Sequence, residues 1–137
     1  TGLDDIGGTI DNKTTLDTED DAATQIMGGG WRVPTQTEFQ ELLKNTNQEW
    51  IEDFNGSGVN GRKFTSKTDT SKYIFIPAAG FCTNGSVNYV DIDGDVWCSS
   101  LDPSHPDYAW SLCFNSGVCC MGYAYRYDGR VVRGVMK

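Results

Sequence analysis

Between Ser99 and Arg133 the chain contains no Lys, no Glu and no Gln. The stretch is filled with Tyr, Ser, Asp, Cys, Gly, Ala, Val and Asn, and it holds the only His, His105. Other scarcities narrow the reading. No CxxC spacing occurs among the 5 cysteines, Cys82, Cys98, Cys113, Cys119 and Cys120, and their number is odd, so neither a disulfide framework nor a zinc site is indicated. Lys and Arg number 11 against 19 Asp and Glu, a net charge of −8 with no basic stripe, which excludes nucleic acid as the expected partner and disfavours anionic membranes. No apolar run is long enough to span a bilayer, and no signal-peptide pattern follows Thr1. The chain opens on Thr rather than Met, so an excised or processed form is expected.

What is present fits one loop-rich globular domain over residues 1–137, with 38% hydrophobic residues, 16 Gly and only 4 Pro. Early acids (Asp4, Asp5, Asp11, Asp17, Glu19, Asp20, Asp21) read as a solvated face. A helix is expected from about Glu19 to Met27, capped by Thr18 or Asp17, with Ala22, Ala23, Ile26 and Met27 as its apolar face and Gly28-Gly29-Gly30 as its stop. Thr35 and Glu38 form a capping box for a second helix over Gln36–Lys44. Strands are expected at Trp50–Phe54, Gly61–Thr65 and Tyr73–Pro77, and a hairpin of Val87–Asp91 with Asp95–Ser99 across Asp93-Gly94. The last strands would be Ala109–Asn115, Val118–Tyr125 and Arg130–Met136. Two early helices followed by many short strands predict an α+β fold.

The last third reads as two interleaved sets. Trp110, Leu112, Phe114, Arg126, Gly129, Arg130 and Arg133 read as scaffold. The Tyr, Ser, Asp, Cys, Gly, Ala, Val, Asn and His that fill the stretch are all encoded by codons that end in C or T with two free first bases, the set produced when the adenines of Asn codons are randomised. Residues 1–98 then form a constant body and 99–135 a variable ligand-binding region.

Several phrases carry a resemblance: Gly29-Gly30-Trp31-Arg32-Val33-Pro34-Thr35, Asn60-Gly61-Arg62-Lys63-Phe64-Thr65, Ile74-Phe75-Ile76-Pro77-Ala78-Ala79-Gly80-Phe81, Val96-Trp97-Cys98-Ser99-Ser100 and Gly129-Arg130-Val131-Val132-Arg133-Gly134-Val135. Over residues 19–135 the chain resembles the variable proteins of diversity-generating retroelements and the major paralogous surface domains of bacteria. Both are similar to the C-type lectin fold, in the branch shared with formylglycine-generating enzymes. The resemblance implies a non-enzymatic module whose C-terminal surface is diversified by adenine-directed mutagenesis. Its partner would be a protein or glycan on a host or target cell surface. It would sit on a virion tail tip or a cell surface, not inserted in a membrane, and multivalent display would raise avidity. Lectins of this fold commonly use a Ca²⁺ site; no matching motif is found here, and no cofactor is expected.

The ligand-facing residues on this reading are Asp102, Ser104, His105, Asp107, Tyr108, Ser111, Cys113, Asn115, Val118, Cys119, Cys120, Gly122, Tyr123, Ala124, Tyr125, Tyr127, Asp128 and Val131. Period-two alternation puts Trp110, Leu112 and Phe114 on one strand face, with Ser111, Cys113 and Asn115 facing outward. Tyr108, Tyr123, Tyr125 and Tyr127 among small polar residues match the composition of a paratope, because Tyr gives amphipathic contact area at low rotamer cost. They should be exposed on one contiguous face while Trp97, Trp110 and Phe114 are buried. Asp91-x-Asp93-Gly94-Asp95 fails the calcium-loop spacing and reads as a turn. Two alternatives stand beside this reading: an invariant adhesin or carbohydrate-binding domain, and an oxidase-like relative of the formylglycine-generating enzymes.

Overall fold

The computed structural model describes residues 13–136. Two short helices, α1 (Ala22–Met27) and α2 (Gln36–Asn45), accompany ten strands: β1 (Trp31–Arg32), β2 (Thr46–Ile51), β3 (Gly61–Ser66), β4 (Tyr73–Pro77), β5 (Phe81–Thr83), β6 (Ser86–Asn88), β7 (Gly94–Leu101), β8 (Tyr108–Phe114), β9 (Cys119–Tyr125) and β10 (Val135–Met136). Every strand pairing is antiparallel, in sheets ordered β1-β10, β2-β3-β4, β5-β6 and β7-β8-β9. Few helices and many antiparallel strands agree with the α+β expectation.

The capping box forms as its residues dictate. Thr35 Oγ1 accepts from the Glu38 amide, and the Glu38 carboxylate accepts from the Thr35 amide at 2.8 Å. Arg32 closes on both Glu38 oxygens at 2.6 and 2.5 Å, and these bonds hold the Glu38 carboxyl down to a pKa of about 2. Phe39 then enters the core with Phe64, Ile76, Ala78, Val96, Cys98, Leu112 and Phe114, where α2 packs on β7, β8, β9 and β3. The Phe64 and Phe114 rings meet edge to face at 6.3 Å.

The first helix is shorter than expected. Asp21, not Thr18 or Asp17, caps it: one carboxylate oxygen accepts from the Thr24 amide at 2.9 Å and the other from the Val33 amide at 2.8 Å. Asp21 is therefore buried rather than part of a solvated face. Asp17, Glu19 and Asp20 are exposed, while Asp4, Asp5 and Asp11 lie outside the described residues. Of the proposed apolar face only Ala23 is buried; Ile26 and Met27 point to solvent.

The hairpin placed across Asp93-Gly94 does not form. Asn84-Gly85 makes that kind of turn instead, both residues at positive φ, joining β5 to β6. Gly94 begins β7 and pairs with Phe114. A Cβ on Gly94 would stand 2.0 Å from the Phe114 ring, so this glycine serves close packing, not a turn. Trp50 and Ile51 end β2, and Phe54 lies in a separate 3₁₀ turn, Phe54–Gly56. The segment expected as a strand over Arg130–Met136 is mostly irregular: Val131 bridges Val96 at the free edge of β7, and only Val135–Met136 pairs with β1.

A candidate binding platform at one end of the β8–β9 hairpin

The β8–β9 register sets Tyr108 opposite Tyr125, Trp110 opposite Tyr123, Leu112 opposite Met121 and Phe114 opposite Cys119. By alternation all eight side chains share one face of the sheet. That face runs from buried Leu112 and Phe114 at the core end to the tyrosines at the other. The tyrosines thus extend the core-facing side of the hairpin beyond the core, rather than occupying the opposite face.

Hydrogen bonds from Asn115 N to Val118 O and from Arg126 N to Asp107 O, each 2.9 Å, bracket the ladder. Their alternation makes Tyr108↔Tyr125 and Trp110↔Tyr123 non-hydrogen-bonded pairs, where facing side chains come closest. Accordingly the Tyr108 and Tyr125 centroids are 4.4 Å apart, Tyr108 meets Tyr123 edge-on at 5.3 Å, and Trp110 meets Tyr123 edge-on at 6.0 Å. Tyr127 stacks on Tyr125 at 4.9 Å, and His105 abuts Tyr108 at 6.1 Å. Tyr123, Tyr125 and Tyr127 are 61%, 41% and 76% exposed; Tyr108, between them, is half-buried. A hydrogen bond with Tyr125 pushes the Tyr108 hydroxyl up to about 12. Trp97 and Trp110, expected in the core, are half-buried; Phe114 is buried.

Beside the platform, the loop from Asp102 to Asp107 is tied internally. Asp102 accepts from the Ser104 amide at 2.9 Å and from His105 Nδ1 at 3.1 Å, which together hold its carboxyl below the usual range. Ser104, His105 and Asp107 are exposed.

The opposite face of the same hairpin differs from expectation. Ser111 is fully buried, Ala124 is buried, and Cys113 and Gly122 are half-buried. A Cβ on Gly122 would stand 2.8 Å from Cys113 Sγ. The cause is a polar cluster beneath the C-terminal segment. The Cys113 thiol donates to Asp95 Oδ1 at 3.0 Å and lies 3.2 Å from Ser111 Oγ. Asp95 Oδ2 pairs with Arg130 at 2.5 Å, and Arg130 also reaches Asp128 at 3.4 Å. The guanidinium sits over the Phe81 and Trp97 rings at 4.9 and 5.5 Å. Asp128 and Val131, placed on the ligand list, serve this packing: Asp128 through Arg130, Val131 against the core. Cys119 also packs on the core, Cys120 and Val118 are exposed, and Asn115 turns its Oδ1 back onto the amides of Gly117 and Val118 at 2.9 and 3.0 Å.

Two arginines outside the ligand list hold the hairpin by its main chain. Arg62 Nη1, from β3, donates to the carbonyls of Asn115 and Val118 at 2.5 and 2.7 Å. Arg126 Nη1 donates to the Pro106 carbonyl at 2.9 Å. Arg126 was readable as scaffold; the signal for Arg62 was only its place in a resembling phrase.

A cleft of about 210 Å³ is lined by residues that include Trp97, Leu101, Ala109 and Val132. Ala109 leaves β8 on the side away from the tyrosines, so this cleft is separate from the platform. Among the described residues no group of three or more His, Cys, Asp or Glu side chains is arranged to hold a metal ion. No protein-family model, curated protein sequence or solved structure matches the chain.

Proposed function

We propose that the chain is a non-enzymatic binding module with a C-type-lectin-like fold, whose C-terminal surface is diversified by a retroelement and recognises a partner on a target cell surface. The observation that carries this reading is the contiguous, exposed tyrosine platform at one end of a hairpin rooted in the core. Large amphipathic rings with few rotamers are the side chains that make strong contacts at low ordering cost. The rings lie open rather than in an enclosed pocket, as suits a macromolecular surface better than a small substrate.

The arginine tethers support diversification. Arg62 and Arg126 bind carbonyl oxygens, which every residue supplies, so changing nearby side chains leaves these anchors in place. The packed face sharpens the position list: ligand-facing positions are Ser104, His105, Asp107, Tyr108, Tyr123, Tyr125 and Tyr127, with Asp102 shaping their loop, whereas Ser111, Cys113, Gly122 and Ala124 are held by packing.

The oxidase-like alternative needs an activated thiolate. Burial pushes the Cys98 and Cys113 thiols up to about 12 and Cys119 to about 11, the direction opposite to activation.

Sequencing the DNA beside the gene tests the reading. A near-copy of the segment encoding Ser99–Val135, with Asn codons at the ligand-facing positions and a reverse-transcriptase gene nearby, is the expected result. A locus with no such copy leaves an invariant adhesin as the reading.

A further inference from the structure

We infer that the tyrosine platform takes a positively charged protein segment, a loop presenting Arg or Lys side chains, rather than a neutral glycan. This rests on the binding reading above and adds the chemistry of the partner.

The outermost ring decides the geometry. Tyr127 lies against Tyr125 with only 15° between their planes, and it is 76% exposed, so its outer surface faces solvent. The face of an aromatic ring is the negative end of its quadrupole, and a guanidinium or ammonium is the group most favoured over it. The chain satisfies its own rings in this way: Lys63 Nζ stands 4.4 Å from the Tyr73 centroid, and Arg130 covers Phe81 and Trp97. Tyr127 has no cation over it among the described residues.

Charge beside the platform points the same way. Asp107 is exposed, and its carboxylate makes no hydrogen bond or ion pair among the described residues. The Asp102 and Asp128 carboxylates are already engaged, with His105 and Arg130. Asp107 and Asp128 both lie close enough to Tyr127 to help raise its hydroxyl pKa, after burial by its neighbours and the effect of Tyr125. Between Ser99 and Arg133 there is no Lys to neutralise them. Arg126 is turned onto the Pro106 carbonyl and Arg130 lies beneath the sheet in its own ion pairs. An incoming cation would find an uncovered ring, with an exposed, unpaired carboxylate in the adjoining loop, on a chain of net charge −8. A neutral sugar would use the ring and leave Asp107 without a counter-charge.

The test uses two Gly-Ser peptides that differ only in carrying Arg or Gln at the same positions, titrated into the whole chain while tyrosine ring protons are followed by NMR. The Arg peptide is expected to shift the Tyr123, Tyr125 and Tyr127 rings and to bind about tenfold more tightly than the Gln peptide, an advantage lost in about 0.5 M salt. Tyr127→Ser should weaken Arg-peptide binding about three- to fivefold, and Asp107→Asn should shrink the Arg preference without unfolding the chain. Equal binding of both peptides, binding of neither, or shifts confined to other residues overturns the inference. A glycan array run in parallel separates the two levels. A neutral glycan lost on Tyr127→Ser, with no Arg preference, overturns the cationic partner and leaves the platform as a binding site. Peptide and glycan binding both unchanged by a Tyr125→Ser, Tyr127→Ser double variant removes the platform itself.

Discussion

Replacing Arg130 with Met should cost a large part of the chain's stability. The side chains of Arg130 and Asp95 are only 10% and 11% exposed, and they meet at 2.5 Å. Met keeps most of the volume beneath Phe81 and Trp97 but removes the charge. Asp95 then remains buried with one thiol donor from Cys113 and no cation. Breaking one side of such a pair costs about 3–5 kcal/mol, because the surviving charge is neither solvated nor compensated. Against a total stability of about 5–15 kcal/mol, that is a large fraction, and at this chain length it lowers Tm by roughly 10–15 °C. The orphaned charge, not lost packing, is the proposed cause, so adding Asp95→Asn to Arg130→Met should return about 1–3 kcal/mol. Urea denaturation followed by circular dichroism, with the slope checked for constancy, measures all three proteins. An Arg130→Met stability within about 1 kcal/mol of the wild type, or a double variant less stable than the single one, would show that an orphaned Asp95 charge is not what the substitution costs.

Glu38, with its carboxyl held at about 2 by Arg32, should contribute stability at neutral pH that fades as pH falls from the ordinary carboxylate value of 4.5 toward 2. Because the Glu38 side chain is 36% exposed, the contribution is about 1 kcal/mol after screening, and Glu38→Gln should flatten that part of a pH–stability curve. Gly122→Ala should destabilise by about 1–3 kcal/mol, since its Cβ meets Cys113 Sγ, and Cys113→Ala should relieve most of that cost; thermal melts of the two variants and their combination test this. Iodoacetamide at about pH 8 should label exposed Cys120 well before Cys98 or Cys113, whose thiols burial pushes up to about 12 and so keeps protonated at the labelling pH, and peptide mass mapping reads the order. Tyr127→Ser should change stability by less than about 0.5 kcal/mol, a value checked by the same melts, because the ring leaves solvent on one face only.

Local chemistry was the legible part of the sequence. The Thr35–Glu38 box needs only residues three apart, and the helix it starts runs over Gln36–Asn45 as its pattern requires. The strand at Tyr73–Pro77 and the exposure of Tyr123, Tyr125 and Tyr127 were likewise readable from composition and spacing. What depended on distant partners was not. Asp93-Gly94 has the form of a hairpin turn, but the Phe114 ring against Gly94 explains the glycine. Ser111 and Cys113 look like solvent-facing residues until Asp95 and Arg130 arrive from other parts of the chain. The run of small residues Ala109, Ser111, Cys113, Gly122 and Ala124 was the available sign of a second packed face. Alternation found the two faces of the hairpin correctly, yet it could not say that the core face continues past the core and carries the tyrosines.

The anchoring of the hairpin through carbonyl oxygens separates two kinds of information in one segment. Shape is written in atoms common to all amino acids; on the proposed reading, recognition is written in side chains. A chain built this way can explore new partners without first relearning how to fold. On that reading, most substitutions at the exposed positions should leave an intact protein, so the fraction of trial sequences that can be tested for binding would be large. Across such variants, melting temperature should stay in a narrow band while affinity ranges widely, whereas changing Arg62 should shift the melting temperature of all of them together.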